Sequence, residues 1–185
     1  MGLAAFLLAA VLIPAPDDWR KETFEFPLRF ATAIPYEGAE HVRFSPGWAR
    51  FDEETGFSYI FLWDLKAKPV ATEDLEDHLE TYFNGLMGGV GAGRKVEAAP
   101  IPAAVALHPM TPVSGWTRAW GAEVRTWNAF SKGEALLLHG EVAYRECGPA
   151  RMQVFFAFSR SKRDRPIWDN LRGIRQATQC GEPVS

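Results

Sequence analysis

The sequence predicts an α+β fold in which an antiparallel β-sheet packs against two helices. Segments with alternating apolar and polar side chains fall into two groups, within residues 24–65 and 116–159. Each group is followed by a segment whose apolar residues have helical spacing, at residues 73–86 and 167–174. The order of strands, helix, strands and helix favours an antiparallel sheet with both helices packed on it.

Chain length and the apolar N-terminus predict one domain at residues 17–185, after a signal-like segment at residues 1–16. The first 13 residues carry no charge, and their apolar run is shorter than the roughly 20 residues that cross a bilayer. We therefore expect a protein exported to the periplasm or secreted, with no transmembrane span in the mature chain. The alternative is a frayed apolar N-terminus on a cytosolic protein, since no Lys or Arg precedes the run and Pro16 follows Ala15.

The composition excludes one class of partner and leaves another open. A net charge of −3 provides no basic field that could neutralise phosphates, so we expect no nucleic acid partner. Seven tryptophans and thirteen phenylalanines are many for a domain of this size. Such side chains form either a dense core or an apolar binding face, and composition does not separate the two uses.

Three extended segments are predicted before the first helix. Residues 24–30 alternate between apolar and polar side chains, and Pro27 places this strand at a sheet edge. Residues 42–44 begin a second strand, which the Ser-Pro-Gly-Trp sequence of residues 45–48 ends in a type II turn. Residues 57–65 are apolar on both faces, which is typical of a central strand.

The first helix is predicted to begin at Thr72, its N-cap, and to lie across the sheet. Its buried stripe consists of Leu75, Leu79, Tyr82, Phe83 and Leu86. Glycines predict its end at Gly85 or at Gly88-Gly89, with a flexible connection over residues 88–93.

The second half of the chain is predicted to add strands and a final helix. Four prolines in residues 97–113 exclude a helix there and leave at most a short strand near Val105. Residues 116–127, 135–146 and 151–159 then form a meander. The final helix buries Ile167, Trp168, Leu171 and Ile174. This layout is similar to that of the PsbP-like sandwich.

The only two cysteines, Cys147 and Cys180, flank a predicted strand and the final helix. A disulfide between them would stabilise the fold by roughly 3–4 kcal/mol in the chain-entropy model. Two unrelated buried thiols are the alternative.

Four aromatic residues are candidates for ligand binding: Tyr36, Trp48, Tyr59 and Trp63. Flat amphipathic rings could line a groove for sugar rings or an acyl chain. The alternative is that the four side chains belong to the core and its rim, as strand alternation already predicts.

Glu40, His41 and Arg43 are the weak catalytic candidates, because a carboxyl, an imidazole and a guanidinium occur within four residues. Together they could transfer a proton or bind an anion. The simpler interpretation is an ion pair between Glu40 and Arg43 that braces the turn at residues 45–48.

The remaining motifs stay at background level. His139-Gly-Glu141 lacks the cysteine pair of a zinc deaminase, and the other histidines form no metal-ligand pattern, so we expect no metal and no cofactor. Ser159-Arg-Ser-Lys162 matches a serine–lysine catalytic pattern, but its charged surroundings favour a solvated hairpin tip.

Three sequence blocks resemble a family of small exported bacterial proteins to which no activity is assigned. They are F-x-F-P-L with I-P-Y-x-G-x-E-x-x-R-F-x-P-G-W at residues 24–48, F-S-Y-x-F-x-W-x-L at residues 57–65, and Cys147 with W-x-x-L at residues 168–171 and Cys180. The resemblance implies export and the disulfide, and it supplies no reaction. His41 stands where the family pattern has an acidic residue, which puts a paired carboxylate in doubt.

The favoured hypothesis is a non-enzymatic exported domain that binds a small apolar or sugar-like ligand, or an envelope protein, through an aromatic surface near Trp48 and Trp63. One alternative is a hydrolase or transferase with Glu40 and His41 as acid and base and Arg43 holding an anion. The other is a structural component of an envelope complex.

Overall fold

A seven-stranded antiparallel sheet with one helix on each face makes up the part of the chain that the computed structural model describes, residues 12–66 and 71–181. The strands are β1 (Arg20–Glu25), β2 (Gly38–Phe44), β3 (Tyr59–Leu65), β4 (Ala104–Met110), β5 (Arg118–Trp127), β6 (Ala135–Gly148) and β7 (Arg151–Ser159), and the helices are α1 (Thr72–Arg94) and α2 (Ile167–Ala177). The strand order is β1-β2-β3-β7-β6-β5-β4. The predicted α+β class is confirmed.

The inner strands of the sheet have the alternation that the sequence predicted. Every residue of β3 is buried, as expected of a central strand. Phe61 lies directly opposite Phe156 of β7, with ring centroids 4.4 Å apart. Such stacked pairs add about 0.5–1.5 kcal/mol to the effect of burial alone. β3 begins two residues later than the predicted segment, because Phe57 has a left-handed backbone conformation.

Helix α1 packs on one face of the sheet, as predicted, and it runs antiparallel to β4. The backbone N–H groups of Ala103, Val105 and Leu107 donate to Asn84, Glu80 and Glu76 of the helix, at 2.8, 3.0 and 2.6 Å. The opposite side of α1 contacts β2, where the Tyr82 hydroxyl donates to Glu40. β2 and β4 are five strand spacings of about 4.8 Å apart, which is much wider than a helix of about 10–12 Å diameter. Because α1 contacts both strands, the sheet curves round it.

The predicted end of α1 is wrong, because the helix continues through its glycines to Arg94. Gly85 lies against the backbone carbonyl of Phe30, and Gly91 lies against the ring of Trp127, so both positions exclude a larger residue. The helix ends where Lys95 takes the left-handed conformation. At its start Ala71, and not Thr72, is the N-cap residue, and it makes no side-chain capping hydrogen bond.

Helix α2 packs on the other face of the sheet with the predicted residues. Trp168, Leu171 and Ile174 are buried against β3 and β7, while Ile167 is half-buried. Its attachment is also ionic, since Glu141 of β6 pairs with Arg172 at 2.6 Å and with Arg175 at 2.7 Å.

The first strand differs from its prediction in position, although it does form a sheet edge. β1 ends at Glu25, before the predicted segment of residues 24–30 is complete, and one further bond to the β2 segment follows, from Phe26 N to Gly38 O. Phe26 and Leu28 are nevertheless buried. The turn at residues 45–48 is closed by a hydrogen bond from Trp48 N to Ser45 O of 2.9 Å, but Gly47 lacks the positive φ that a type II turn requires.

The C-terminal half contains the predicted meander, with β5, β6 and β7 within two residues of their expected bounds. The short strand near Val105 is β4. Cys147 and Cys180 form the predicted disulfide. Residues 178–181 are also held by side chains of β6 and β7: Arg145 donates to Thr178 O at 3.0 Å and Arg151 donates to Gly181 O at 3.1 Å.

Most of the apolar N-terminal run, residues 1–11, lies outside the described residues. Its last residues are packed onto the domain: Ile13 is buried with Trp19 in the cluster beneath α2, and Leu12 O accepts a hydrogen bond from Gln179 N. Within residues 12–66 and 71–181, neither helix is long and apolar enough to span a membrane.

Candidate functional site

A cavity of about 150 Å³ lies between α1 and the curved end of the sheet formed by β1, β2 and β3. We call it the α1 cavity. Its wall consists of Arg20, Glu22, Phe24, Phe30, Glu40, Val42, Phe44, Trp48, Phe57, Tyr59, Tyr82, Leu86, Met87, Val90 and Phe130. Eight of these fifteen residues are aromatic. The lining residues of β1 and of β2 are every second residue of the strand, so one face of each strand lines the cavity.

Strand pairing explains how the polar groups reach this wall. Phe24 of β1 lies opposite Glu40 of β2, and Arg20 lies opposite Phe44. Because side chains of a strand alternate between the two faces, Glu40 and Phe44 point to the side of α1 together. The sheet therefore places one carboxyl group among aromatic rings beneath the helix.

Glu40 is 1% exposed, and both its carboxyl oxygens accept hydrogen bonds from neutral donors. Trp63 Nε1 donates to Oε2 at 2.9 Å, and the Tyr82 hydroxyl donates to Oε1 at 3.0 Å. Burial raises the pKa of Glu40 from 4.5 to about 7, although the two hydrogen bonds oppose part of this rise. Glu40 is therefore divided between its protonated and ionised forms near neutral pH.

The tyrosines around Glu40 are neutral hydrogen-bonding groups. Burial raises the pKa of Tyr59 and of Tyr82 above the ordinary value of 10.0, and the Glu40 carboxylate contributes to both shifts. Both hydroxyl groups therefore keep their protons at neutral pH.

The mouth of the α1 cavity carries one cation and one anion. The Arg20 guanidinium lies over the rings of Phe44 and Trp48, 4.3 and 5.3 Å from their centroids. Arg20 also pairs with Glu22 at 3.3 Å. The buried indole N–H of Trp48 has no hydrogen-bond partner within the described residues. The mouth thus combines aromatic faces with a buried hydrogen-bond donor.

Only two of the four predicted ligand-binding residues, Trp48 and Tyr59, line the α1 cavity. Trp63 is fully buried, and its indole N–H supports Glu40. Tyr36 lies outside the wall, where its hydroxyl is 3.0 Å from Nδ1 of His78. The four residues therefore do not form one exposed aromatic surface.

The weak catalytic candidates are separated by the strand that carries them. The side chains of His41 and Arg43 lie on one face of β2 and that of Glu40 lies on the other, because successive side chains of a strand point to opposite faces. His41 Nδ1 lies 3.1 Å from the Thr23 hydroxyl, and Arg43 Nη1 donates to Val42 O at 2.8 Å. Burial, aided by the charge of Arg43, lowers the pKa of His41. The prediction of an ion pair between Glu40 and Arg43 is therefore wrong.

The other motifs have structural roles. Glu141, from the deaminase-like pattern, is bound by two arginines of α2. Ser159 and Ser161 are both buried, and the Ser159 hydroxyl lies 2.7 Å from the Ser58 hydroxyl. The segment joins β7 to α2, so the prediction of a solvated hairpin tip is wrong. Across residues 12–66 and 71–181, no three His, Cys, Asp or Glu side chains come together as a metal site.

A second depression, of about 450 Å³, borders the turn at residues 45–47. It is larger than the α1 cavity, but its wall includes exposed residues such as Pro16, Asp18, Arg50 and Asn170. It lacks a buried charged group among its lining residues, so the α1 cavity is the better candidate.

Comparison with known proteins leaves this site to be interpreted from its own geometry. No protein-family model and no curated protein matches the chain. The resemblance to the family of small exported proteins therefore stays a prediction.

Sequence reasoning missed several residues of the site. Tyr82 was expected only as part of the buried helix stripe, and Phe130 and Arg20 were not considered. Tyr82 could have been found from its hydroxyl, since a buried tyrosine ordinarily needs a polar partner. Nothing in the local sequence links Phe130 to a cavity wall, because it lies in the connection between β5 and β6.

Proposed function

We propose that this protein is an exported, non-enzymatic domain that binds a small apolar molecule in the α1 cavity. The observation that carries the proposal is a cavity of about 150 Å³ whose wall is mostly aromatic and aliphatic and contains a single buried carboxyl group. Apolar cavities of this size accommodate molecules such as benzene. A pocket with an apolar wall and a few convergent polar groups is the usual form of a ligand site.

The wall favours an apolar ligand over the sugar-like one that the sequence also allowed. Only Arg20, Glu22 and Glu40 bring charged groups to it, and Arg20 and Glu22 already pair with each other. A sugar would bury several hydroxyl groups without partners, which is costly. An envelope protein that docks on Trp63 is not favoured, because Trp63 is fully buried.

Export is supported by the disulfide between Cys147 and Cys180, since disulfides persist chiefly in oxidising compartments. The apolar N-terminal run and the family resemblance agree with it. The similarity to a PsbP-like layout remains part of this proposal: it agrees with an antiparallel sheet between two helices but adds no evidence on the ligand.

An enzyme that uses Glu40 and His41 as acid and base has less support. A general base and a general acid must both reach the substrate, and these two side chains lie on opposite faces of β2. Glu40 faces the α1 cavity without His41 or Arg43 beside it.

The proposal is tested by filling the cavity. We expect benzene, toluene, isobutanol or benzyl alcohol to raise the unfolding temperature of the wild-type protein, since a ligand stabilises the state that it binds. Val90→Phe, and independently Leu86→Phe, place a ring in the cavity and should abolish the rise. Leu137→Phe adds the same ring at an exposed position of β6 and should preserve it.

Two results would count against the cavity as the binding site. One is the absence of a shift with every compound. The other is an equal shift in the wild-type protein and in both filling variants, which would place binding elsewhere.

A further inference from the structure

Glu40 places an unpaired carboxyl group in the α1 cavity, and a purely apolar ligand provides no partner for it. Its carboxyl group is 1% exposed and accepts hydrogen bonds from two neutral donors, the Trp63 indole and the Tyr82 hydroxyl. Within the described residues it forms no ion pair. Buried charges in proteins are ordinarily paired, so the ionised form of Glu40 lacks a counter-ion.

The aromatic wall favours a cation as that counter-ion. Ring faces carry partial negative charge and attract ammonium and guanidinium groups within about 6 Å of their centroids. The mouth already shows this interaction, because Arg20 lies over Phe44 at 4.3 Å and over Trp48 at 5.3 Å. The side chain of Arg20 is 58% exposed, so it can move aside when a ligand enters.

The net charge of the cavity wall also favours a cation. Arg20 and Glu22 neutralise each other in an ion pair of 3.3 Å at the mouth. Glu40 is then the one charged group of the wall that has no partner of opposite charge. The net charge that a ligand meets is therefore negative whenever Glu40 is ionised.

We infer that the ligand is a small organic ammonium ion, with its charged nitrogen paired to Glu40 and its apolar body among the rings of the α1 cavity. This inference rests on the proposed function and adds the chemical class of the ligand. The volume of about 150 Å³ limits the buried apolar body to the size of a benzene ring or a short branched alkyl group.

Recognition of this kind depends on pH through Glu40. The groups that surround Glu40 are Arg20 and Glu22 of β1, Tyr59 and Trp63 of β3, and Tyr82 of α1. Because burial holds the pKa of Glu40 at about 7, Glu40 is mostly ionised at pH 8.0 and mostly protonated at pH 5.5. The cation should therefore bind more tightly at pH 8.0.

The test compares each amine with its neutral isostere. Benzylamine and benzyl alcohol, and isobutylamine and isobutanol, are titrated calorimetrically into the wild-type protein and Glu40→Gln at both pH values. We expect at least one amine to bind the wild-type protein about tenfold more tightly than its alcohol at pH 8.0. At pH 5.5, and in Glu40→Gln at both pH values, the ratio should fall to about threefold or less.

The results separate the two proposals. If an alcohol binds and Val90→Phe blocks it, but neither amine exceeds its alcohol by threefold, the ammonium inference is overturned and the proposed function stands. If no compound binds, both are overturned. An amine preference that persists in Glu40→Gln also overturns the inference. Leu137→Phe, which adds its ring outside the α1 cavity, should keep the amine preference of the wild-type protein. If Glu40→Gln does not fold, the pH dependence of the wild-type protein decides.

Discussion

Glu40 is buried in the folded protein but reaches water when the chain unfolds. Because burial raises its pKa from 4.5 to about 7, the folded protein holds a proton on Glu40 that the unfolded chain releases within this pH range. Stability falls with rising pH wherever the folded state binds more protons than the unfolded state. The loss therefore begins near pH 4.5 and is complete above pH 7.

We predict that replacing Glu40 with Gln removes this loss. The difference between a pKa of about 7 and one of 4.5 corresponds to roughly 3 kcal/mol. The free energy of unfolding of the wild-type protein, relative to Glu40→Gln, should fall by about that amount between pH 4.5 and pH 8. Urea denaturation of both proteins across this range measures it.

Two histidines also make the stability of the protein depend on pH. Burial lowers the pKa of His41 and of His78, which makes stability rise with pH as they lose their protons. Their contribution has the opposite sign to that of Glu40 and is shared by both proteins, so it cancels in the difference. A difference that does not change with pH would refute the role given to Glu40.

At the scale of elements, α1 shows how tertiary contacts overcome a poor local preference. Glycine costs up to about 1 kcal/mol relative to alanine within a helix, and the sequence therefore predicted an end at Gly85 or Gly88. Gly85 is helical because it allows the close approach of the Phe30 backbone. That approach depends on the chain between β1 and β2, which a local reading of the helix does not include.

We predict opposite effects for alanine at two glycines of this helix. Gly85→Ala should destabilise the protein by about 1–3 kcal/mol, because its methyl group would overlap the carbonyl of Phe30. Gly89→Ala should stabilise it by about 0.5–1 kcal/mol, because no atom lies within 4 Å of the added carbon. Thermal and urea unfolding of the two variants measure the changes. Similar effects of the two substitutions would contradict this packing.

The strands were more predictable than the helix ends because alternation is a local signal. β3 and β7 each have a run of apolar residues with period two, and both were placed within two residues. β1 was misplaced because its own residues are mostly exposed, whereas the apolar residues that follow it are buried outside the sheet. Alternation therefore identified Phe26 and Leu28 as buried, but it misplaced the hydrogen-bonded segment and Phe24, which is exposed.

At the scale of the whole molecule, the disulfide joins the end of β6 to the segment that follows α2. The chain-entropy model gives roughly 3–4 kcal/mol for closing a loop with a sequence separation of 33. Hydrogen bonds from Arg145 and Arg151 to Thr178 O and Gly181 O hold the same segment independently. Covalent and polar contacts thus act on one stretch of chain.

We predict that Cys147→Ser with Cys180→Ser lowers the free energy of unfolding by about 3 kcal/mol and leaves the fold intact. The circular dichroism spectrum should be unchanged, because the arginine hydrogen bonds remain. Urea denaturation measures the loss. Labelling of both thiols in the natively produced wild-type protein before reduction would show that the disulfide is absent there.

The candidate site illustrates how far the sequence alone leads. Trp48, Tyr59 and Glu40 were singled out from their residue types, and all three line the α1 cavity. Their relation was not predictable: Glu40 was paired with His41 and Arg43 because they are neighbours in sequence. The contacts that matter come from Trp63 and Tyr82, which only strand pairing and the position of α1 bring to the carboxyl group.

The contact between α1 and β4 limits how copies of this chain can assemble. Edge strands with unpaired N–H groups are templates for growth of a continuous intermolecular sheet. On β4 the outward donors of Val105 and Leu107 are occupied by Glu80 and Glu76, and the next outward position is Pro109, which has none. An indefinite filament needs two adhesive ends on every subunit. With the β4 side capped, joining through β1 terminates at a pair.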